Sequence, residues 1–462
     1  MDRIELSKAK SFKGTFSATP DKSISHRSVI FSSLAKGKSV IKNFLRAEDT
    51  ISTINAMRML GVDITEVRSQ KSEVTPSTHP SLSRGESKGG GESSKLQAPS
   101  SELVINGNGI YGLKEPCNVI DCGNSGTTIR MLSGILSGNP FFSVLTGDES
   151  LRTRPMGRVI TPLRQMGAEI IARGENKYPP IAVKGKKLQP IKYASPVASA
   201  QVKSAILLAG LYADGETEII EPAKSRDHTE RMLPAFGAEI KVDGLRVRIR
   251  GGTELKGTEV YVPGDFSSAA FFIIGALLIK DSDITISGVG INPTRTGLLS
   301  ALKEMGADIE LYNIRNLSGE PVADIHCKGG ADLKAINITK EKIPALVDEF
   351  PVLCVAATQA TGTTTIRGAE ELRVKESDRI KTMATELKKM GAEIEEYDDG
   401  LSIRGKKELK GAVVESYRDH RIAMSMSIAG IIADGTTTIN GVSTVNVSFP
   451  GFFDILKRLT KD

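Results

Sequence analysis

Five times along the chain, apolar residues at helical spacing run into the same short phrase: LGVDI ending at Ile64, MGAEI at Ile170, FGAEI at Ile240, MGADI at Ile309 and MGAEI at Ile394. A glycine at this place suits the left-handed residue just past a helix, and the β-branched residue after it suits the start of a strand. The glycines (Gly61, Gly167, Gly237, Gly306 and Gly391) stand 106, 70, 69 and 85 residues apart. The longest interval holds a segment from about residue 69 to about residue 101 that is rich in Ser, Gly and Pro and nearly free of large apolar residues. Such a composition buries too little surface to order itself, so a flexible loop between two strands of one hairpin is expected there. Without it the interval shrinks to about 73 residues, in line with the others.

A second pattern keeps pace with the first. A run apolar on nearly every face is followed by a small-residue turn and a strand in SVIFSSLAKGKSVIKNF, QVKSAILLAGLYADGETEII, SAAFFIIGALLIKDSDITISG, PVLCVAATQATGTTTIRG and IAMSMSIAGIIADGTTTING. NSGTTIRMLSGILSGNPFFSVLTG is a divergent sixth copy. Helices without a polar face belong inside a domain. The pattern therefore predicts an α/β fold of six units, each about β-α-β-α-β-β, grouped as two domains of three units. The last unit ends in a helix over Pro450–Thr460 with no strand after it, and a strand over Arg3–Phe16 is available to complete it. The expected division is residues 21–258 for one domain and residues 1–20 plus 259–462 for the other. Two chain crossings then form a hinge, and opposed cationic walls are expected to repel until anionic ligands draw them together.

Composition narrows the class. Of 462 residues, 39% are hydrophobic and 25% charged, and 61 Lys+Arg against 55 Asp+Glu leave a net charge of +6. No apolar run is long enough for a membrane span, and MDRIELSKAK has no apolar core of a signal peptide, so no membrane association and a cytoplasmic location are expected. Cys117, Cys122, Cys327 and Cys354 are too few for a disulfide framework, and no His pair completes a zinc site. Isolated reduced thiols and no metal are the expectation.

The chemistry collects where the buried helices begin. Lys22, Ser23, His26 and Arg27 lie in PDKSISHR; Asn124, Ser125, Gly126, Thr127 and Arg130 in GNSGTTIR; Ser199, Gln201 and Lys203 in SAQVKS; His420 and Arg421 in RDHR. Free N–H groups at a helix start already favour anions, and nearby Lys or Arg strengthens the effect. Taken singly, each has an ordinary explanation. GNSGTT makes a helix cap, LRVKESDR makes a charged helix face with Lys375 and Arg379 as i,i+4 neighbours, and Asp348 in VDEFP caps the helix Phe350–Ala360. Their recurrence at one position of the repeat instead points to a polyanion site in a cleft between the domains.

These residues carry a resemblance. In order, PDKSISHR, GNSGTTIR, LTGDESLRTRPM, SAQVKSAILLAG, SRDHTERML, GDFSSAAFF, NPTR, VDEFPVL, RVKESDR, DHRIAM and SFPGFF resemble the 5-enolpyruvylshikimate-3-phosphate synthases, over nearly the whole chain outside the Ser/Gly-rich segment. The resemblance implies two domains of three βαβαββ units, an inside-out α/β architecture with buried helices, and a cleft that closes on its ligands. It also implies no cofactor and an enzyme that works as a monomer. The reaction implied moves the enolpyruvyl group of phosphoenolpyruvate to the 5-hydroxyl of shikimate 3-phosphate and releases phosphate. By resemblance, Lys22, Ser23, Arg27, Ser199, Gln201, Arg226, Asp348 and Lys375 hold shikimate 3-phosphate. Lys22, Gly126, Arg154, Gln201, Arg379 and Arg421 hold phosphoenolpyruvate. Asp348 is the candidate base for the hydroxyl, with Glu376 and Lys22 the candidate acid and its partner at the vinyl carbon. Three departures from the resemblance stand out: Val447 stands where a Lys is frequent, Ala200 replaces the second Ser of the usual Ser-Ser-Gln triplet, and Glu371 stands where some members place an Asn.

Two other readings compete. The sister transferase that acts on UDP-N-acetylglucosamine uses a Cys acid, and no Cys lies in Asp148–Gly157. A repeat scaffold for RNA needs aromatics for base stacking, and the chain has no Trp and 5% aromatics, so no nucleic-acid partner is expected.

Overall fold

The computed structural model describes residues 2–67 and 100–461. The described strands form six small sheets, five of four strands and one of three. The recurring order is a short leading strand parallel to the second, which pairs antiparallel with the fourth, which in turn flanks the third. Thus Ile120–Asp121 runs parallel to Phe142–Thr146, which pairs antiparallel with Tyr178–Lys184, beside Glu169–Ala172. The same order recurs with Lys192–Ala194, Glu216–Ile220, Arg246–Arg250 and Ile240–Asp243.

The glycine phrases behave as their pattern predicts. Gly61, Gly167, Gly237, Gly306 and Gly391 have φ between 85° and 97°. Each is followed within three residues by a strand holding the predicted Ile. One helix differs from expectation: Gly237 closes a 3-10 turn, Leu233–Phe236, because Pro234 at its start offers no N–H for continuous α-helical bonding.

Six helices are buried almost throughout: Lys22–Leu34, Gly126–Ser137, Ala200–Gly210, Phe266–Leu278, Phe350–Gln359 and His420–Ile432. They gather in two threes. One hydrophobic core draws on residues from Ile24 to Val262, and the other on Phe12 to Ala18 together with Phe266 to Leu459. Phe12, Phe16, Phe272, Phe449 and Phe452 interlock in the second, with ring centroids 4.9 to 6.4 Å apart.

Several boundaries move. The expected strand Arg3–Phe16 is two strands serving two sheets. Arg3–Ser7 pairs antiparallel with Thr436–Asn440 and completes the last unit, whereas Ser11–Ser17 runs parallel to Asp281–Ser287 as the leading strand of the fourth. The first unit borrows its leading strand in the same manner: Glu259–Tyr261 runs parallel to Lys36–Leu45. A division after residue 258 would cut that strand from its sheet, so the change of core falls after Val262. There the two crossings lie side by side, Asp21 N–H on the Pro263 carbonyl at 2.7 Å and Asp265 N–H on the Thr19 carbonyl at 2.6 Å. Asp63–Val67 and Ser100–Asn108 do form an antiparallel hairpin. Ser100 already belongs to its strand, and the rest of the expected flexible segment lies outside the described residues. The C-terminal helix is Phe452–Leu459, shorter than Pro450–Thr460 because Gly451 at its start is left-handed, with φ of 89°.

Candidate active site

The N-termini of all six buried helices open into one cavity of about 760 Å³. Lys22 and Ser23, Gly126 and Thr127, Ser199 and Gln201, Asp265, Val347 and Asp348, and His420 and Arg421 each line it from a different helix start. Asp21, Ser125, Ser199, Asp265 and Asp419 cap five of these helices through their side chains. Each cap satisfies only part of the helix end, and the remaining N–H groups leave positive potential directed at the cavity. The sixth helix has Glu349 at its N-cap without a side-chain hydrogen bond. Asp348 therefore does not cap, and its carboxylate faces the cavity.

Every residue assigned to the site by resemblance lines this cavity except Arg27. Arg27 is buried, with Nε donating to Thr229 Oγ1 at 2.8 Å, Nη2 to Ser204 Oγ at 2.9 Å and Nη1 to the Ser23 carbonyl at 3.0 Å. It braces the first helix start from behind. Lys375 and Arg379 do not share a helix face: Lys375 ends the 3-10 turn Glu370–Val374, and Arg379 opens the helix Arg379–Lys389 capped by Asp378. The break turns both side chains to the cavity.

The two walls are not both cationic, which overturns the expected repulsion. Residues of the first core present arginines, and residues of the second present carboxylates to them. Arg226 Nη2 donates to Asp348 Oδ2 at 2.5 Å, Arg158 Nη1 to Glu371 Oε1 at 2.8 Å, and Arg154 Nη1 lies 3.5 Å from Glu376 Oε1. Asp348 is further surrounded by Arg379 Nη1 at 3.3 Å and Arg421 Nη2 at 3.6 Å. Arg379, almost fully enclosed, also holds Asp419 at 2.9 Å and Glu376 at 2.7 Å.

These contacts set the protonation states. Burial alone would raise the Asp348 carboxyl, but Arg226, Arg421, Arg379 and Arg295 hold it well below the usual carboxylate range. Burial likewise opposes Glu376 ionisation, and Arg379 and then Arg154, with Lys22 beyond them, override it and hold the carboxyl well below its usual range. His420 is pushed well below its ordinary value by burial, then by Lys22 and Arg421, so the ring is neutral. The Lys22 ammonium donates to Asp49 Oδ2 at 2.9 Å.

Sequence reading placed Thr127 and Arg130 at a helix start without giving either a role, and it passed over other lining residues altogether. Arg130 sits one turn into its helix and donates to Gln201 Oε1 at 2.5 Å, while Gln201 Nε2 donates to Thr127 Oγ1 at 2.9 Å. Burial, then the neighbouring Arg154 and Arg158, lowers Arg130 to about 10. Its spacing of four from Gly126 was the available signal. Asp49 and Arg158 carry no local signal, whereas Asp265, the cap of a buried helix in GDFSSAAFF, and Arg295 in NPTR lie in motifs that were read without giving either residue a role. Val447, at the place of the frequent Lys, does not line the cavity.

Comparison with known proteins bears on the whole arrangement. The family model for EPSP synthase (3-phosphoshikimate 1-carboxyvinyltransferase) matches residues 6–88 and 90–456. The 3-phosphoshikimate 1-carboxyvinyltransferase of Thermodesulfovibrio yellowstonii is 53% identical over 462 residues, covering 100% of both chains. That of Citrifermentans bemidjiense is 49% identical over 461 residues, again with 100% of both covered. The solved EPSP synthase from Acinetobacter baumannii superposes with a TM-score of 0.82 at 45% identity, covering 99% of this chain and 98% of that one.

Proposed function

The chain belongs to the EPSP synthase family, and on that premise we propose how its cavity carries out the family reaction. That reaction transfers the enolpyruvyl group of phosphoenolpyruvate to the 5-hydroxyl of shikimate 3-phosphate. It gives 5-enolpyruvylshikimate 3-phosphate and phosphate, a step of the shikimate pathway to chorismate and the aromatic amino acids.

Both substrates are polyanions, and the cavity answers them with helix starts and guanidinium groups. Ser23, Ser199, Gln201, Arg226 and Lys375 hold shikimate 3-phosphate, and Arg27 acts behind them by bracing Ser23. Gly126, Arg154, Arg379 and Arg421 hold phosphoenolpyruvate, Gln201 reaches both substrates, and Lys22 bridges them. Arg130 and Thr127 keep the Gln201 amide in one orientation.

Asp348 takes the proton of the 5-hydroxyl as its oxygen attacks C2 of phosphoenolpyruvate, and Glu376, supplied by Lys22, protonates C3. The tetrahedral adduct then loses phosphate as C3 returns its proton to Glu376, Asp348 passes the hydroxyl proton to the departing phosphate, and the vinyl group reforms. In the empty cavity both carboxylates are counter-ions of arginines, a state that suits neither base nor acid. Substrate anions that take over Arg226, Arg154 and Arg421 neutralise those cations, and the pKa values of Asp348 and Glu376 rise toward a working range. Binding thus arms the chemistry.

The observation that supports this reading most is the convergence of six helix starts and the expected residues on one cavity. Among the described residues no helix is long and apolar enough to cross a membrane, and we place the enzyme in the cytoplasm. The two cores are read as two domains that hinge where the crossings pair at Asp21 and Asp265. Phosphate release measured with both substrates, beside each substrate alone, tests the reaction. Release only with both is expected, and none from folded protein refutes it.

A further inference from the structure

Of the three carboxylates that reach across the cavity, two belong to the proposed chemistry. The third, Glu371, has no role in that chemistry. Its Oε1 atom accepts from Lys375 Nζ at 3.1 Å and from Arg158 Nη1 at 2.8 Å. Lys375 lies on its own wall, four residues on. Arg158 lies in the helix Gly157–Gln165 of the opposite wall.

We infer that Glu371 is a positioning residue, which through one carboxylate oxygen ties the substrate-holding Lys375 to closure of the cavity by Arg158. The inference rests on the substrate assignment of the preceding subsection. Neither Arg158 nor Glu371 is claimed there by a substrate, so their pair survives binding, whereas Arg226–Asp348 and Arg154–Glu376 must give way. With the walls together, Arg158 pins Glu371, and Glu371 holds the flexible Lys375 stem in one direction. With the walls apart, Arg158 withdraws and Lys375 loses its anchored partner. The side chains of all three are only about a quarter exposed, at 24%, 28% and 24%, so solvent screens them incompletely.

Charge acts in the same sense as geometry. Burial lowers the pKa of the Lys375 ammonium, Glu371 and then Asp348 raise it, and Arg379 lowers it again. Burial also opposes ionisation of Glu371, while Lys375 and Arg158 together keep it an anion. Without the Glu371 charge, Asp348 alone among these groups is left to keep Lys375 protonated. Lys375 then loses its proton at lower pH, and with it the grip on an anionic substrate.

The test compares wild type, Glu371→Gln, Glu371→Asp and Arg158→Met by phosphate release, with shikimate 3-phosphate varied at saturating phosphoenolpyruvate from neutral to alkaline pH. For E371Q, KM for shikimate 3-phosphate should rise about tenfold, the worth of one charge-assisted hydrogen bond at a binding cation. kcat should change little, and the alkaline limb of kcat/KM should move to lower pH. R158M should raise KM in the same direction, and E371D should restore part of both effects. Wild-type KM and an unmoved alkaline limb in E371Q would overturn the inference. So would a fall in kcat at unchanged KM, which makes Glu371 part of the chemistry. A silent R158M beside an affected E371Q would overturn the link to closure. An inactive wild type would sink the substrate assignment instead, and circular dichroism of each variant separates these outcomes from misfolding.

Discussion

Replacing Asp348 by Asn keeps the shape of the side chain and removes its charge, and the geometry makes two opposite demands on the result. Turnover should collapse. A positioned general base contributes about 10²–10⁴-fold, or about 2.7–5.5 kcal/mol of barrier, and among the described residues no other carboxylate faces Arg226, Arg379 and Arg421 together. Binding of shikimate 3-phosphate should nevertheless tighten. Arg226 is held by Asp348 at 2.5 Å and must leave it before gripping a phosphate. A charge-assisted hydrogen bond of about 1.5–3 kcal/mol no longer opposes binding, against about 1 kcal/mol for a weaker contact to the substrate hydroxyl. The surplus of about 0.5–2 kcal/mol predicts affinity improved by about 2- to 30-fold. Phosphate release at saturating substrates gives kcat. Calorimetric titration with shikimate 3-phosphate alone gives Kd, which indole fluorescence cannot report in a chain without Trp. A kcat within tenfold of wild type would remove Asp348 from the role of base. Weaker binding would refute the competition between carboxylate and substrate for Arg226.

Three further substitutions probe the frame around the site. Lys203 is buried between Glu221 at 2.7 Å and Glu230 at 2.6 Å, so Lys203→Met removes the cation that both buried carboxylates share. Chemical denaturation should show a loss of about 3–5 kcal/mol; a loss below 1 kcal/mol, on the scale of an exposed pair, would contradict it. Glu349 is buried with Oε2 unpartnered, and burial, then the charge of Asp348, raises its pKa above the ordinary 4.5. The folded chain keeps a proton that the unfolded chain releases, so this group withdraws stability as pH rises above 4.5 toward its folded value. Urea midpoints of wild type and Glu349→Gln should therefore separate with rising pH, the variant becoming relatively more stable, and parallel curves would show the group is not so perturbed. Gly391 has φ of 92° with the nearest obstacle to a Cβ at 3.9 Å, so Gly391→Ala should cost about 1–2 kcal/mol through backbone conformation alone.

Local signals were legible along the chain wherever a residue type answers to its own backbone. The glycine phrases gave the helix ends because a left-handed residue has few occupants, and the all-apolar runs gave the buried helices because nothing polar offered them a surface. The candidate anion-binding cavity was legible in the same way, since Lys22, Gly126, Gln201 and Arg421, which line it, all sit within two residues of a helix start. What stayed hidden depended on distant partners. Arg3–Phe16 looked like one strand, and nothing local says that Arg3–Ser7 and Ser11–Ser17 serve sheets closed by strands more than 250 residues away. Arg27 carries the same local signature as Lys22, yet its helix turn points it at Thr229 and Ser204.

The expectation that empty walls repel failed for a reason with wider consequence. Buried cations need counter-ions, and a cavity lined by Arg130, Arg154, Arg158, Arg226, Arg379 and Arg421 cannot wait for substrate with all of them bare. Carboxylates supply the missing charge, across the cavity for Arg154, Arg158 and Arg226 and from the same wall for Arg379 and Arg421, and two of the three that reach across are the groups proposed as base and acid. Under the proposed mechanism the same residues stabilise the empty enzyme as anions and turn over substrate as proton carriers. Each substrate anion displaces a carboxylate from its arginine instead of adding to an unpaired cation. The affinity seen for either substrate is consequently the difference between two ion pairs, smaller than the count of arginines suggests, and the part withheld from binding appears as a raised carboxylate pKa at the reacting centre.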